Sequence, residues 1–156
     1  MKSSVPPAVP ISGVSVIPLK RIPDERGDVL HMLRADASHF QGFGEIYFSE
    51  IHPGAVKAWR KHHKMTVNYA VPVGEIKLVL YDDREGTPSP HQVAELTLGA
   101  SNYHLVSVPP GVWYGFKGLG ATVALVANCA TLPHDESEIE RADRDEGRFG
   151  YDWRND

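Results

Sequence analysis

The sequence predicts an all-β chain: an antiparallel sandwich or barrel that ends in a short helical or turn-rich C-terminal segment. Three observations carry this. Short apolar runs recur along the chain and are separated by clusters of turn residues. Pro-Gly turns end one run and begin the next, as in double-sheet jelly rolls. No stretch before the tail keeps a clean helical period.

Residues 1–13, MKSSVPPAVPISG, contain three prolines and read as a loose N-terminal arm. SVIPLKRI then runs into the polar turn PDERGD, and VLHML into RADASH. GEIYFSEI ends at His52-Pro53-Gly54, VNYAVPV at Gly74, and EIKLVLYD at the turn from Asp82 to Gly86. VAELTL, HLVSV and ATVALVAN complete the series. Within EIKLVLYD the two-residue period puts Ile76, Leu78 and Leu80 on one face and Lys77, Val79 and Tyr81 on the other. The charged tail PHDESEIERADRDEGRFGYDW packs as turns or a short helix. No repeat or composition shift divides the chain, so residues 1–156 are expected to form one domain.

Composition narrows the function classes. With 42% hydrophobic and 23% charged residues the chain has the balance of a globular protein. A net charge of −4 without a long basic run argues against nucleic acid as a partner. The single cysteine, Cys129, cannot form an internal disulfide and fits a reducing compartment. No run approaches the ~20 apolar residues of a membrane span, and the N-terminus lacks a signal-peptide core. A cytoplasmic protein with no membrane partner is expected.

The chemistry-bearing residues cluster around two glycine turns. His62 and His63 follow His52-Pro53-Gly54, and Tyr114 and Phe116 follow Pro109-Pro110-Gly111. The order Pro-Gly, histidines, Val-x-Gly, Pro-Pro-Gly and aromatic resembles the two signature blocks of the cupin superfamily. The resemblance implies a cupin-type antiparallel β jelly roll (a double-stranded β-helix). Metal-binding cupins carry His-x-His with a downstream Glu in the first block, and a His in the second. Here the Glu position falls on Val67 or Asn68 and the second-block His position on Tyr114. Adjacent histidines on a strand point to opposite faces, so one of them at most enters the barrel. A catalytic metal needs about three protein ligands, so no metal and no other cofactor are expected. A single inward histidine instead suits acid–base chemistry. Arg60 and Arg26, two cations near a barrel mouth, are candidates to hold a diphosphate.

Over residues 14–153 the chain resembles the dTDP-4-dehydrorhamnose 3,5-epimerases and their nucleotide-sugar epimerase relatives, which are dimeric cupins. PDERGDVL is similar to the family's acidic-Arg-Gly segment, placing Arg26 at a nucleotide-binding position. RKHH is similar to Arg-Gly-Leu-His, which gives Arg60 the phosphate-binding role and His63 that of general base. VGEIKLVLYDDR and VPPGVWYGF match two further family segments through Gly74, Asp82, Arg84, Gly115 and Phe116. The tail resembles the segment that supplies an aspartate to the histidine, with Asp143 the best match and Asp145 its rival. The resemblance implies a homodimer that takes a nucleotide-diphosphate sugar with a ketone at C4. A histidine–aspartate pair removes a proton beside that ketone, a cation or hydrogen-bond donor stabilises the enolate, and a second acid reprotonates the other face.

Three family positions depart from the pattern, and at one of them the histidine of the family's Ala-His-Gly-Phe is here Tyr114. The lysine between the histidine and the Val-x-Gly turn is replaced by Val67, and the tyrosine that acts as the second acid falls on Asn128. Asparagine cannot serve as a general acid near neutral pH. Tyr69, Tyr114 and Lys77 are the candidate replacements, and Tyr69, Tyr114 and Asn128 are expected to contact substrate. The departures imply epimerisation at one centre, or an isomerase step, on a 4-keto-6-deoxy sugar nucleotide. The alternative is a cupin that binds such a sugar nucleotide without catalysis.

Overall fold

Two five-stranded antiparallel sheets face each other in the computed structural model, which describes residues 6–88 and 90–155. In chain order the strands are β1 (Ser15–Pro18), β2 (Arg21–Ile22), β3 (Val29–Leu30), β4 (Glu45–Ile51), β5 (Val56–His62), β6 (Val67–Val73), β7 (Glu75–Asp82), β8 (Gln92–Gly99), β9 (His104–Val108), β10 (Val112–Leu119), β11 (Ala124–Ala130) and β12 (Ile139–Arg141). One sheet has the order β1-β9-β6-β11-β4 and the other β12-β5-β10-β7-β8, while β2 and β3 form a separate hairpin. From β4 to β11 the chain changes sheet at every step except the β7–β8 hairpin. That crossing pattern makes the molecule a jelly roll, as the Pro-Gly turns predict.

Strand alternation explains the core. Ile76, Leu78 and Leu80 of β7 meet Val67, Tyr69 and Val71 of β6 between the sheets, in one cluster with Val106, Val108 and Phe116. The opposite face of β7 is also buried. Val79 and Tyr81 join Trp59 and Trp113 in a second cluster that Phe149 and Trp153 of the C-terminal segment cover. Phe149 stacks on Trp59 at 4.4 Å between ring centroids. Gly115 permits the close approach: a Cβ there would lie 2.5 Å from the Ala58 Cβ and 3.0 Å from the Trp153 ring.

Three expectations are corrected. β5 and β10 are absent from the apolar runs that predict strands. VKAWRKH is largely basic, and VWYGFKGL is aromatic on both faces because both of its faces are covered. VLHML yields only the two residues of β3. The tail does fold as the expected turns, two 3₁₀ segments at Glu136–Glu138 and Gly147–Phe149, with the short strand β12 between them. Residues 1–5 of the predicted loose arm lie outside the described residues. The remainder is docked, with Ile11 buried and Val9 packed on the core. No helix among the described residues is long and apolar enough to cross a membrane.

The C-terminal clamp predicts a stability effect. Phe149→Ala removes a 2% exposed aromatic ring from the Trp59 face. It should cost about 3–5 kcal/mol, read from the urea midpoint at unchanged m-value.

Candidate active site

A cavity of about 350 Å³ opens between the sheets where β4, β5, β6 and β10 converge. Register builds its two walls. On one sheet Tyr69, Asn128 and Tyr47 are direct cross-strand neighbours on β6, β11 and β4. On the facing sheet Tyr114, Arg60 and Arg141 are neighbours on β10, β5 and β12. Five of these six side chains line the cavity. Asn128 is fully buried behind it. The walls therefore differ in chemistry: phenols on one side, and a phenol and two guanidiniums on the other. Arg141 makes two hydrogen bonds to Glu136, at 2.6 and 3.1 Å. With His134 also hydrogen-bonding it, Arg141 holds the Glu136 carboxyl down at about 2. Lys57 of β5 also lines the cavity and donates to the Ser49 hydroxyl and the Glu50 carbonyl.

His62 closes the base of this arrangement. Its Nδ1 donates to the Glu138 carboxylate, and its Nε2 lies 2.9 Å from the Tyr114 hydroxyl. A carboxylate only accepts, so the hydrogen sits on Nδ1. In the neutral imidazole Nε2 is then the acceptor for the Tyr114 O–H. The other Glu138 oxygen accepts the backbone N–H groups of Lys64 and Met65, each at 3.1 Å. Burial alone would push the Glu138 carboxyl up. The hydrogen bonds from His62 and from the two amides outweigh it and hold the group below the ordinary carboxylate value. Burial raises the Tyr114 and Tyr69 hydroxyls, so both phenols are neutral. Tyr69 meets Tyr114 edge-on at 5.4 Å between ring centroids.

Backbone contacts fix which histidine turns inward. β12 pairs with β5 so that Ile139 lies opposite His62, and the His63 N–H donates to the Glu138 carbonyl at 2.9 Å. From the other side the Gly111 N–H donates to the His62 carbonyl at 2.8 Å. Gly111 makes this turn at a positive φ of 88°, which favours glycine.

The expected His63–Asp143 pair is therefore not formed. His63 is half-exposed and faces Glu140, with 3.5 Å between Nε2 and Oε2. Asp143 accepts the Asp145 N–H within its own loop. Its rival Asp145 borders a separate groove on the C-terminal segment. Strand parity is the reason: Arg60 shares its face with His62, two residues on, and not with His63. Arg26 lies exposed in the β2–β3 turn, where Asp24 holds its guanidinium, and does not line the cavity. Asn128 is likewise not on the cavity wall. It accepts the Asn68 N–H and donates to the Tyr47 hydroxyl. Lys77 points to the outer face and donates to the Asn155 carbonyl. Arg60, Tyr69 and Tyr114 do meet at one cavity.

Sequence reasoning missed His62, Glu138, Tyr47, Arg141 and Lys57. Parity along RKHH could have selected His62, and alternation in GEIYFSEI could have turned Tyr47 inward beside Ser49. Nothing local marks Glu138 among the acids of the tail. Among the described residues no three His, Cys, Asp or Glu side chains converge as metal ligands.

Comparison with known proteins places this geometry. No protein-family model matches the chain. A probable low-salt glycan biosynthesis epimerase of Haloferax volcanii is 32% identical over 147 residues, covering 92% of this chain and 94% of that protein. The crystal structure of a dTDP sugar isomerase from Desulfovibrio desulfuricans G20 superposes with a TM-score of 0.92 at 50% identity, over 94% of each chain. A dTDP-6-deoxy-D-glucose-3,5-epimerase of Legionella pneumophila, solved with dTDP-4-keto-L-rhamnose, shares the fold. Its TM-score is 0.82 at 22% identity, over 93% of this chain and 80% of that one. Similarity along nearly the whole chain, on a jelly roll whose cavity wall is backed by a buried histidine–carboxylate pair, establishes membership: the chain belongs to the family of nucleotide-sugar epimerases and isomerases that these relatives represent.

Proposed function

We propose that this chain is an epimerase or isomerase of a nucleotide-linked 4-keto-6-deoxy sugar, and that Glu138 and His62 form its base. The observation that carries the reading is the buried chain Glu138–His62–Tyr114, which ends at the cavity wall. A ketone at C4 acidifies the hydrogens on C3 and C5 by making an enolate possible. Tyr114 donates its hydrogen to His62, so its oxygen presents a lone pair to the cavity. As the C–H bond breaks, the sugar proton passes to the Tyr114 oxygen and the Tyr114 proton passes to His62 Nε2. The imidazolium formed is stabilised by the ionised Glu138. Arg60, exposed at the cavity edge and not ion-paired among the described residues, is assigned to a phosphate of the substrate.

The base assignment is tested by proton NMR of dTDP-4-keto-6-deoxyglucose in D₂O. His62→Asn should lower deuterium wash-in at the carbons beside the ketone by about 10²–10⁴. His63→Asn should exchange like the parent, and Glu138→Gln should fall between. The reverse order of the two histidine variants would sink the assignment.

Glu138 also implies a pH dependence of stability. Its carboxyl lies below its ordinary value of 4.5 in the folded chain. The stabilisation from this group is thus complete above that value and is lost as pH falls through the lower, folded value. Thermal unfolding of parent and Glu138→Gln should show a gap at neutral pH that closes on acidification below about pH 4.5.

We further propose a homodimer. Phe43, Ile46 and Phe48 are 64%, 51% and 60% exposed on and beside β4, which ends its sheet. Apolar exposure on an edge strand favours association. Light scattering should give twice the 17.2 kDa chain mass, and Phe48→Glu should shift it towards one chain.

A further inference from the structure

We propose that Tyr47 is the acid that protonates the sugar carbon on the face opposite the base, and that Asn128 positions it. The proposal rests on the reading of the base given above. Hydrogen-bond direction carries the argument. Asn128 Oδ1 accepts the Asn68 N–H at 3.0 Å, which fixes the orientation of its amide. Its Nδ2 is then the group 2.9 Å from the Tyr47 oxygen, and an amide NH₂ only donates. Tyr47 accepts that bond, so its own hydrogen points elsewhere, and Tyr47 lines the cavity.

Tyr114 on the facing sheet has the opposite polarity. Its hydrogen goes to His62 Nε2 and one lone pair accepts from Tyr69, which leaves a second accepting lone pair at the cavity. Two phenols on opposite walls are thus set as a proton acceptor and a proton donor. Inversion needs that pair. The acceptor removes the proton from one face of the carbon. The enolate's electron pair then forms a new C–H bond with the Tyr47 proton on the other face, restoring the ketone. The Tyr47 phenolate takes a proton from water at the cavity mouth, and the imidazolium releases one to water. Tyr69 is placed less well for the donor role, because its hydroxyl donates to Tyr114, the acceptor itself. Asn128, which cannot donate a proton near neutral pH, acts through Tyr47.

The test separates exchange from inversion. Parent, Tyr47→Phe and Asn128→Asp are incubated with dTDP-4-keto-6-deoxyglucose in D₂O. Proton NMR reads both deuterium wash-in beside the ketone and the appearance of the inverted sugar. Tyr47→Phe should keep wash-in near the parent rate, because the base returns deuterium to the face it came from, while inversion falls by about 10²-fold or more. Asn128→Asp keeps an acceptor for the Asn68 N–H but turns the Tyr47 hydrogen towards the new carboxylate. It should shift the ratio of inversion to exchange the same way. A structural role for Tyr47 would lower both readings together, and that outcome overturns the proposal, as does undiminished inversion in Tyr47→Phe. A parent that shows no wash-in overturns the base as well, so the two failures are distinct.

Discussion

The Glu138 carboxylate ties the site to the fold. It is buried, and a buried charge is tolerated only when its lone pairs are used. His62 and the amides of Lys64 and Met65 use them. Those three donors flank the end of β5, and the residues after Glu138 pair with β5 as β12. One side chain therefore docks the C-terminal segment, sets the histidine tautomer and turns the β5–β6 connection. The outer aromatic cluster secures the same segment at its far end, where Phe149 and Trp153 cover Trp59. Trp59 lies on β5, next to Arg60. The strand that carries the site is gripped on its outer face so that its inner face can stay open to a cavity.

Much of the fold was legible because a sheet with one buried face writes itself as alternation. VAELTL shows this, with Ala94, Leu96 and Leu98 buried while Val93, Glu95 and Thr97 are exposed. The strands that escaped detection, β5 and β10, are those whose residues do not form an aliphatic run. β10 packs inward through Tyr114 and Phe116 and outward through Trp113, so its pattern is a continuous aromatic run. β5 turns Arg60 to the cavity and His62 to Tyr114 on its wall, while Lys61 bridges to Glu140 at 3.2 Å. A strand built to carry charge on both sides lacks the period that identifies strands.

The cavity is legible in its residue types, whereas the expected His63–Asp143 pair is not formed. RKHH contains the cavity-lining Arg60 and the inward histidine, and the two-residue period of a strand links Arg60 to His62. Matching by chain spacing selected His63 because it ignored that period. The carboxylate partner was beyond local reading. The tail offers Asp135, Glu136, Glu138, Glu140, Asp143, Asp145 and Glu146, and only the pairing of β12 with β5 decides which is buried. Asn128 was placed at the right height in the sheet, but its side chain supports a neighbour instead of facing the cavity.

The row Tyr69–Asn128–Tyr47 has a consequence for how such enzymes diverge. Adjacent strands stand about 4.8 Å apart, so three positions far apart in the chain are side by side in space. A hydroxyl lost from the middle strand can be replaced from either neighbour with little displacement at the reacting carbon. The role can thus migrate sideways through the sheet while the fold and the opposing wall stay unchanged. Searches that require a given residue type at one chain position will overlook such descendants, whereas a comparison made row by row across the sheet keeps them.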